Sequence, residues 1–164
     1  MSSTATPPDG AATADDGHAG AAFHHRALER LYAAAPINAK FASTLTISGE
    51  GRSRIAFAVT PDFYHAAGAA HGALYFKMLD DAAFYAANTL VTDRFLLTTS
   101  FNLHFTRPVR GGAVVAEGRW ISGRRRVLVA EAWLTDAQGE MIGRGAGTFM
   151  RSHIPLSGLA GYGG

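Results

Sequence analysis

The chain has 164 residues, which is enough for one domain with a buried core. Apolar residues make up 48% of it and the formal net charge is only +2, which argues against a disordered protein and against nucleic acid as the main partner. Because the chain has no cysteine, disulfides, thiolate nucleophiles and thiolate metal ligands are excluded.

The N-terminal residues 1–20 are rich in Ala, Thr, Gly, Asp and Pro, and we predict that they form a disordered tail. They lack the basic start and apolar run of a secretion signal. The sequence also has no run of the roughly 20 apolar residues needed to span a membrane. We therefore expect a cytoplasmic protein with no membrane partner. A helix is predicted over 22–35, ending before Pro36.

Two stretches of alternating apolar and polar residues, 41–49 and 52–60, predict a β-hairpin that turns at Glu50-Gly51. A loop rich in glycine and alanine follows over 64–72. Residues 73–90 then predict a long helix that is apolar on almost every side, interrupted only by Lys77, Asp80 and Asp81. A helix of this kind is normally buried on all sides.

The C-terminal half predicts strands over 95–108, 113–122, 126–135 and 140–152, followed by a flexible tail over 156–164. In the first of these strands, alternation places Leu97 with Phe101 on one face and Thr98 on the polar face. The last strand has glycine at every second position (143, 145 and 147), so a large neighbour can approach one face closely.

These elements indicate an α+β architecture, with a curved antiparallel β-sheet wrapped around a long central helix in a single domain over 21–155. Any face of the helix that the sheet leaves open must be covered by the N-terminal helix or by another subunit.

Candidate functional residues cluster at the start and middle of the long helix. Backbone N–H groups at a helix start have no partner within the helix and lie at the positive end of its dipole, so Gly72 is a candidate for binding an oxyanion. Asp80 lies eight residues further on, about 12 Å along the helix axis. Since one carbonyl group cannot easily touch both, we infer two antiparallel helices related by a twofold axis, with Gly72 of one subunit beside Asp80 of the other.

Structural roles are also open for these residues. Asp80 or Asp81 could pair with Lys77 on the same helix face, and buried carboxylates are more often structural than catalytic. Gly68 and Gly72 could merely relieve crowding in the loop. His65 and His71 form no recognised metal motif, so no metal site is predicted, and His71 could simply start the helix.

Two sequence stretches, GAAHGALYFKMLDDAAFYAAN and the downstream TTSFNLHFTRPVRGG, resemble the PaaI-like (phenylacetic acid degradation type) thioesterases of the hotdog-fold superfamily, over about residues 38–151. The family pattern is roughly Asn-x-x-Gly-x-x-His-Gly-Gly with an acidic residue nine positions after the His. The matching positions here are His65, Gly68, His71-Gly72-Ala73 and Asp80, with His in place of the Asn and Ala73 in place of the last Gly.

The resemblance implies the hotdog fold and an acyl-CoA thioesterase that needs no cofactor, since coenzyme A is part of the substrate. Asp80 would act as general base or nucleophile, the Gly72 amide would polarise the thioester carbonyl, and His71 would orient the loop or the thioester. Thr98 falls where related enzymes place a Ser or Thr that positions water, and His65 takes the position of the family Asn. The expected assembly is a homodimer or homotetramer.

Several side chains are candidates for binding the substrate. Arg124, Arg125 and Arg126 lie in one predicted turn and could bind the phosphates of coenzyme A, although charged turns are also commonly just solvated. Ala73 follows the helix start, and the aromatic side chains of Tyr75 and Phe84 could line an acyl pocket or form plain core.

Other functions fit the same fold. The first is a non-catalytic acyl-CoA-binding module. A hotdog hydratase ranks lower, because such enzymes pair an Asp with a His a few residues later and here no His follows Asp80 before His104. A structural or interaction protein is supported only by the expected self-association.

Overall fold

The structure is a computed structural model that describes residues 14–163. Its helices are α1 (Ala14–Ala34), α2 (Pro36–Phe41) and α3 (Gly72–Asn88). Its strands are β1 (Thr44–Gly49), β2 (Arg52–Val59), β3 (Arg94–Phe105), β4 (Gly112–Ser122), β5 (Val127–Asp136) and β6 (Met141–Pro155). The six strands form one antiparallel sheet in the order β1-β2-β4-β5-β6-β3. None of the helices in residues 14–163 has the length and apolar content needed to cross a bilayer.

The sheet wraps around α3, which contacts β2, β3, β4, β5 and β6. Most of α3 is buried, because its apolar side chains face the concave side of the sheet. The predicted α+β architecture with a central helix is therefore confirmed. Burial on every side of α3 is wrong for the single chain, since a stripe at helical spacing stays open or half-open: Ala73, Phe76, Lys77, Asp80 and Asp81.

The tightest approach between helix and sheet is at Gly118 of β4. A Cβ atom at this position would lie 2.0 Å from the Ala82 carbonyl oxygen of α3, so no side chain fits. Ser53 of β2 donates a hydrogen bond to the same oxygen at 2.6 Å. Together these contacts fix the distance between α3 and the sheet. They do so at Ala82, the residue that follows Asp80 and Asp81.

Both ends of the chain differ from the predicted tails. Helix α1 begins at Ala14, so residues 14–20 are helical, whereas the rest of the predicted disordered tail lies outside the described residues. The predicted flexible C-terminal tail is wrong where it is described, because Leu156 and Tyr162 are buried. The Tyr162 hydroxyl lies 2.7 Å from Nδ1 of buried His24 in α1. Leu156 and Tyr162 are two separate buried residues in a segment rich in glycine. They form no periodic pattern, so the sequence did not predict this packing.

The alternation of β3 changes phase at Thr99. Thr98 pairs with Phe149 and Ser100 with Thr148, so Thr99 is an extra residue in β3, a β-bulge. As a result Thr98 and Phe101 both face α3, and the predicted assignment of Thr98 to the opposite face from Phe101 is wrong. The sequence prediction assumed regular alternation along the whole strand, and that assumption cannot detect an inserted residue.

The glycines at every second position of β6 allow the close approach that the sequence predicts. The neighbour is the ring of Phe101 on β3, which lies 2.5 Å from where a Cβ atom would stand at Gly145 and at Gly147. The same ring makes an edge-to-face contact with Phe76 of α3, with ring centroids 5.9 Å apart.

We expect Gly118→Ala to destabilise the protein by about 3 kcal/mol, the upper end of the usual cost of overpacking, because α3 must move away from the sheet to admit the methyl group. Urea denaturation measures the change in free energy of unfolding. Gly20→Ala is the matched control: a Cβ there meets nothing within 4 Å, and helix propensity alone should raise stability by up to about 1 kcal/mol. Equal stability of Gly118→Ala and the wild type would contradict this account of how α3 packs.

Candidate active site

Asp80 lies on the open stripe of α3, half-buried, and its main contact is with Thr98 of β3. The Thr98 hydroxyl is 3.0 Å from Oδ1 and 3.3 Å from Oδ2 of the carboxylate. No Lys or Arg forms an ion pair with Asp80 among the described residues. The carboxylate therefore has one hydrogen-bond donor and stays open toward a neighbouring cavity.

The adjacent carboxylate, Asp81, has a different environment. It forms an ion pair with Lys77 one helical turn earlier. The Lys77 ammonium also donates to Oδ1 of Asn38 in α2 at 2.6 Å and lies 5.4 Å from the Tyr32 ring centroid. Of the two carboxylates that could pair with Lys77, the structure assigns that role to Asp81 and leaves Asp80 available.

Burial raises the pKa of Asp80 to about 6, while the hydrogen bond from Thr98 opposes the increase. The charge of Asp81 adds to the increase and that of Lys77 opposes it. A carboxyl group with a pKa near 6 is mostly ionised at pH 7 to 8, yet it is a stronger base than an exposed aspartate. Such a shift is typical of functional carboxylates, although structural networks also produce it.

A cavity of about 280 Å³ opens beside Asp80. We call it the Asp80 cavity. Its walls are mainly apolar and come from α2, α3 and β3, and its lining includes Ile37, Phe84, Tyr85, Phe95 and Leu97. Phe84 thus lies where the sequence predicts a pocket residue. The contribution of α2 was missed, because nothing in its six residues signals that they reach α3.

At the start of α3, His71 is the N-terminal cap: its Nδ1 accepts a hydrogen bond from the Ala73 amide at 3.0 Å. His65 accepts from the Ala67 amide through its own Nδ1 at 3.1 Å, inside the loop that Gly68 closes with φ +76°. The helix-start role is therefore present for His71, and both rings help to hold the loop in front of Gly72.

Gly72 is the first residue of α3, and its N–H makes no hydrogen bond to another described residue. The Phe105 ring packs beside it, 3.1 Å from where a Cβ atom would stand, so glycine also serves packing here. A second cavity of about 390 Å³, the Gly72 cavity, opens at this end of α3. Tyr75 and Arg107 line it together with His65 and Gly72, and the Tyr75 hydroxyl accepts from the Val109 amide at 2.9 Å.

The two cavities share no lining residue within one chain. The predicted site residues therefore separate into two groups: Asp80, Thr98 and Phe84 at one cavity, and Gly72, His65 and Tyr75 at the other. Ala73 is exposed on the helix surface between them. This is the geometry expected from the spacing of Gly72 and Asp80 along the helix.

The structure does not bring the predicted arginine turn to either cavity of the same chain. Arg124, Arg125 and Arg126 lie between β4 and β5, and Arg124 pairs with Glu50 at 2.9 Å. Glu50 adjoins Gly51, whose amide donates to Thr89 at the C-terminal end of α3, the opposite end from Gly72. A basic residue that the sequence did not single out, Arg107, is the one that borders the Gly72 cavity.

Within residues 14–163, no three His, Cys, Asp or Glu side chains converge in a way that could hold a metal ion.

The sequence pattern of the thioesterase superfamily matches residues 67–142. The chain is 27% identical over 101 residues to a protein from Saccharolobus solfataricus whose name proposes an esterase, covering 62% of this chain and 67% of that protein.

Among solved structures, the Escherichia coli PaaI protein of the phenylacetic acid degradation operon superposes with a TM-score of 0.72 at 18% identity, covering 81% of this chain and 98% of that one. A thioesterase from Haemophilus influenzae superposes with a TM-score of 0.68 at 17% identity, covering 75% of this chain and 86% of that one. At these identities the superpositions show the fold.

The protein thus has the hotdog fold, with a six-stranded antiparallel sheet around the helix that carries Asp80. The match over residues 67–142 confirms the predicted resemblance to the thioesterase superfamily, and the superpositions on the PaaI proteins confirm the hotdog fold.

We expect the carboxyl group of Asp80 to titrate near pH 6, and Thr98→Val to move its midpoint higher because the opposing hydrogen bond is lost. Carbon-13 NMR of labelled aspartate measures both midpoints. Thr46→Val, on an exposed position of β1, should leave the midpoint unchanged. A wild-type midpoint near 4 would contradict the burial of the carboxylate.

Proposed function

We propose that the protein is an acyl-CoA thioesterase in which Asp80 activates water for attack on the thioester carbonyl. The observation that carries this proposal is the environment of Asp80: a half-buried carboxylate with a raised pKa, hydrogen-bonded to Thr98 and open to an apolar cavity. The superfamily match and the thioesterase named among the solved neighbours support the reaction class.

The reaction needs few groups, because a thiolate is a good leaving group. Asp80 takes a proton from water as the new C–O bond forms, and the carbonyl oxygen becomes an oxyanion that the Gly72 amide stabilises. The C–S bond then breaks, and the thiolate takes up the proton held by Asp80. Direct attack by Asp80, with hydrolysis of the resulting anhydride, fits the same geometry. The acyl group would occupy the Asp80 cavity.

The complete site requires a second copy of the chain in this proposal. The open stripe of α3 and the neighbouring edge strand β3 expose large apolar side chains, including Phe76 at 42% and Phe105 at 50%. The opposite edge of the sheet is partly closed, since Glu29 of α1 accepts a hydrogen bond from the Ile47 amide of β1. A second copy related by a twofold axis, on the β3 side, would cover the open stripe of α3. Gly72 of that copy would then lie beside Asp80.

The remaining substrate contacts are also proposals. The phosphates of coenzyme A need basic groups, for which residues 124–126 stay the predicted candidates, with Arg107 beside the Gly72 cavity as an addition from the structure. Tyr75 and Ala73 would contact the substrate near the thioester. A cytoplasmic location stays an expectation from the sequence.

We expect Asp80→Asn to lower kcat/KM for acyl-CoA hydrolysis by at least about 100-fold, because the general base is lost. Release of free thiol from a panel of acetyl-, medium-chain, long-chain and aryl-CoA thioesters measures it. The variant should stay folded and be at least as stable as the wild type at pH 8. The raised pKa means that ionising Asp80 costs more in the folded state than in the unfolded one, a cost that the wild type carries above about pH 6.

Exposed Asp62 provides the control, and Asp62→Asn should keep full activity. If the wild type hydrolyses no member of the panel yet binds acyl-CoA tightly, the protein is instead a non-catalytic binding module. The fold and the open cavity support this second candidate, and the ionisable side chain at position 80 argues against it.

A complementation experiment tests the shared site. Gly72→Pro removes the amide hydrogen at the first helical position, where proline is tolerated, and His71 already has the extended backbone that a following proline requires. Gly72→Pro and Asp80→Asn should each be nearly inactive. Co-expressed in equal amounts, they should regain about a quarter of wild-type activity, because half of the dimers are mixed and each of these has one intact site.

Gly72→Ala, which keeps the amide, is the matched control for the tight contact with Phe105 and should keep most of the activity. Should the co-expressed pair stay inactive while mixed dimers are shown to form, each site would be contained in one subunit and the proposed assembly would be wrong.

A further inference from the structure

The β-bulge in β3 lies immediately beside the candidate active site. Thr98, on one side of the bulge, faces α3 and bonds to Asp80. Beyond the bulge, Phe101 and Phe105 also face α3, where they pack against Phe76 and Tyr75. Because side chains alternate along a strand, Thr98 and Phe101 can face the same side only if one extra residue stands between them. That residue is Thr99.

The phase of the C-terminal half of β3 is fixed by packing. Phe101 fills the space left by Gly145 and Gly147 of β6, and the opposite phase would turn its ring to the outer face of the sheet. If the bulge were lost with this half held in place, Thr98 would turn to the outer face of the sheet. The hydrogen bond to Asp80 therefore depends on the bulge.

The bulge has its own side-chain contacts on the outer face of the sheet. The Thr99 hydroxyl donates to the carbonyl oxygen of Thr148 on β6 at 3.0 Å. It also lies 2.8 Å from the Thr148 hydroxyl, within hydrogen-bond distance. These contacts tie the extra residue, which has no ladder partner, to the neighbouring strand.

We propose that Thr99 and Thr148 are positioning residues for the reaction, because their hydroxyl pair holds the bulge that directs the Thr98 hydroxyl toward Asp80. This inference rests on the proposed function for its kinetic consequence only. Neither threonine touches the Asp80 cavity, so both act through Thr98.

The groups around Asp80 make this contact decisive. From α3, the charged groups near it are Lys77 and Asp81, which pair with each other, and the titratable Tyr85 also lines the cavity. From α2 comes the uncharged amide of Asn38, and from β3 the polar group is Thr98 alone. Thr98 is thus the one polar link between the strand and the carboxylate among the described residues.

The test compares Thr99→Val with Thr99→Ser, which keeps the hydroxyl, and with Thr98→Val. We expect Thr99→Val to lower kcat about 3- to 10-fold with little change in KM, as for the loss of one hydrogen bond. The acid limb of the pH–rate profile should move to higher pH, in the same direction as for Thr98→Val. Thr99→Ser should restore both, and Thr148→Val, which keeps the carbonyl acceptor of Thr148, should change both in the same direction by a smaller amount.

The double variant Thr98→Val/Thr99→Val gives the sharpest comparison. If Thr99 acts through Thr98, the double variant should be no slower than Thr98→Val alone. Additive losses would overturn the proposal, and so would an unchanged kcat and acid limb in a folded Thr99→Val protein. With an unchanged kcat and acid limb, the remaining role of the bulge would be to prevent the edge strand from pairing with other strands.

Light scattering and urea denaturation check that assembly and stability are kept. If the wild type hydrolyses no thioester, the proposed function is wrong, but the effect of Thr99 on Asp80 can still be measured. Carbon-13 NMR should then show the Asp80 midpoint raised by Thr99→Val as by Thr98→Val. An unchanged midpoint would overturn the inference by itself.

Discussion

The close contact between α3 and β4 holds the central helix in one position against the sheet. Gly118 lets the helix backbone reach the sheet, and Ser53 holds the Ala82 carbonyl in that position. With the helix fixed this close, its buried apolar residues fill the concave side of the sheet, and its open stripe is left on the side of β3 and α2. The position of Asp80 beside its cavity therefore depends on how the core packs.

The same packing gives two neighbouring carboxylates different properties. Asp81 forms an ion pair with Lys77, whose ammonium also donates to Asn38 and lies over the Tyr32 ring. Asp80 turns toward Thr98 and an apolar cavity, where burial raises its pKa to about 6 with one hydrogen bond in opposition. A rotation of about 100° between consecutive helical residues is enough to separate a structural charge from a candidate base.

In the function we propose, one chain holds only part of each active site. The cavity beside Asp80 and the one beside Gly72 share no wall, although both border α3. The open stripe of α3 between the two cavities carries Phe76, which is 42% exposed. A second copy on this face would bury the stripe and unite the two halves, so assembly and chemistry are coupled in the function we propose. The bulge at Thr99 lies in the edge strand on that face. Its geometry therefore bears on the proposed assembly and on the proposed chemistry.

The α+β architecture, the central helix and the strands could be predicted from the sequence, because hydrophobic periodicity reports which faces are buried. The spacing of Gly72 and Asp80 also predicted that the two residues lie well apart on one helix, since the helical rise is fixed, and they line different cavities. Tertiary structure alone decided which aspartate pairs with Lys77, since both lie within one turn of it. It also decided the face of Thr98, the packing of Tyr162 on His24 and the contribution of α2 to the cavity. Those features depend on one inserted residue or on contacts between distant segments, which leave no periodic signal in the sequence.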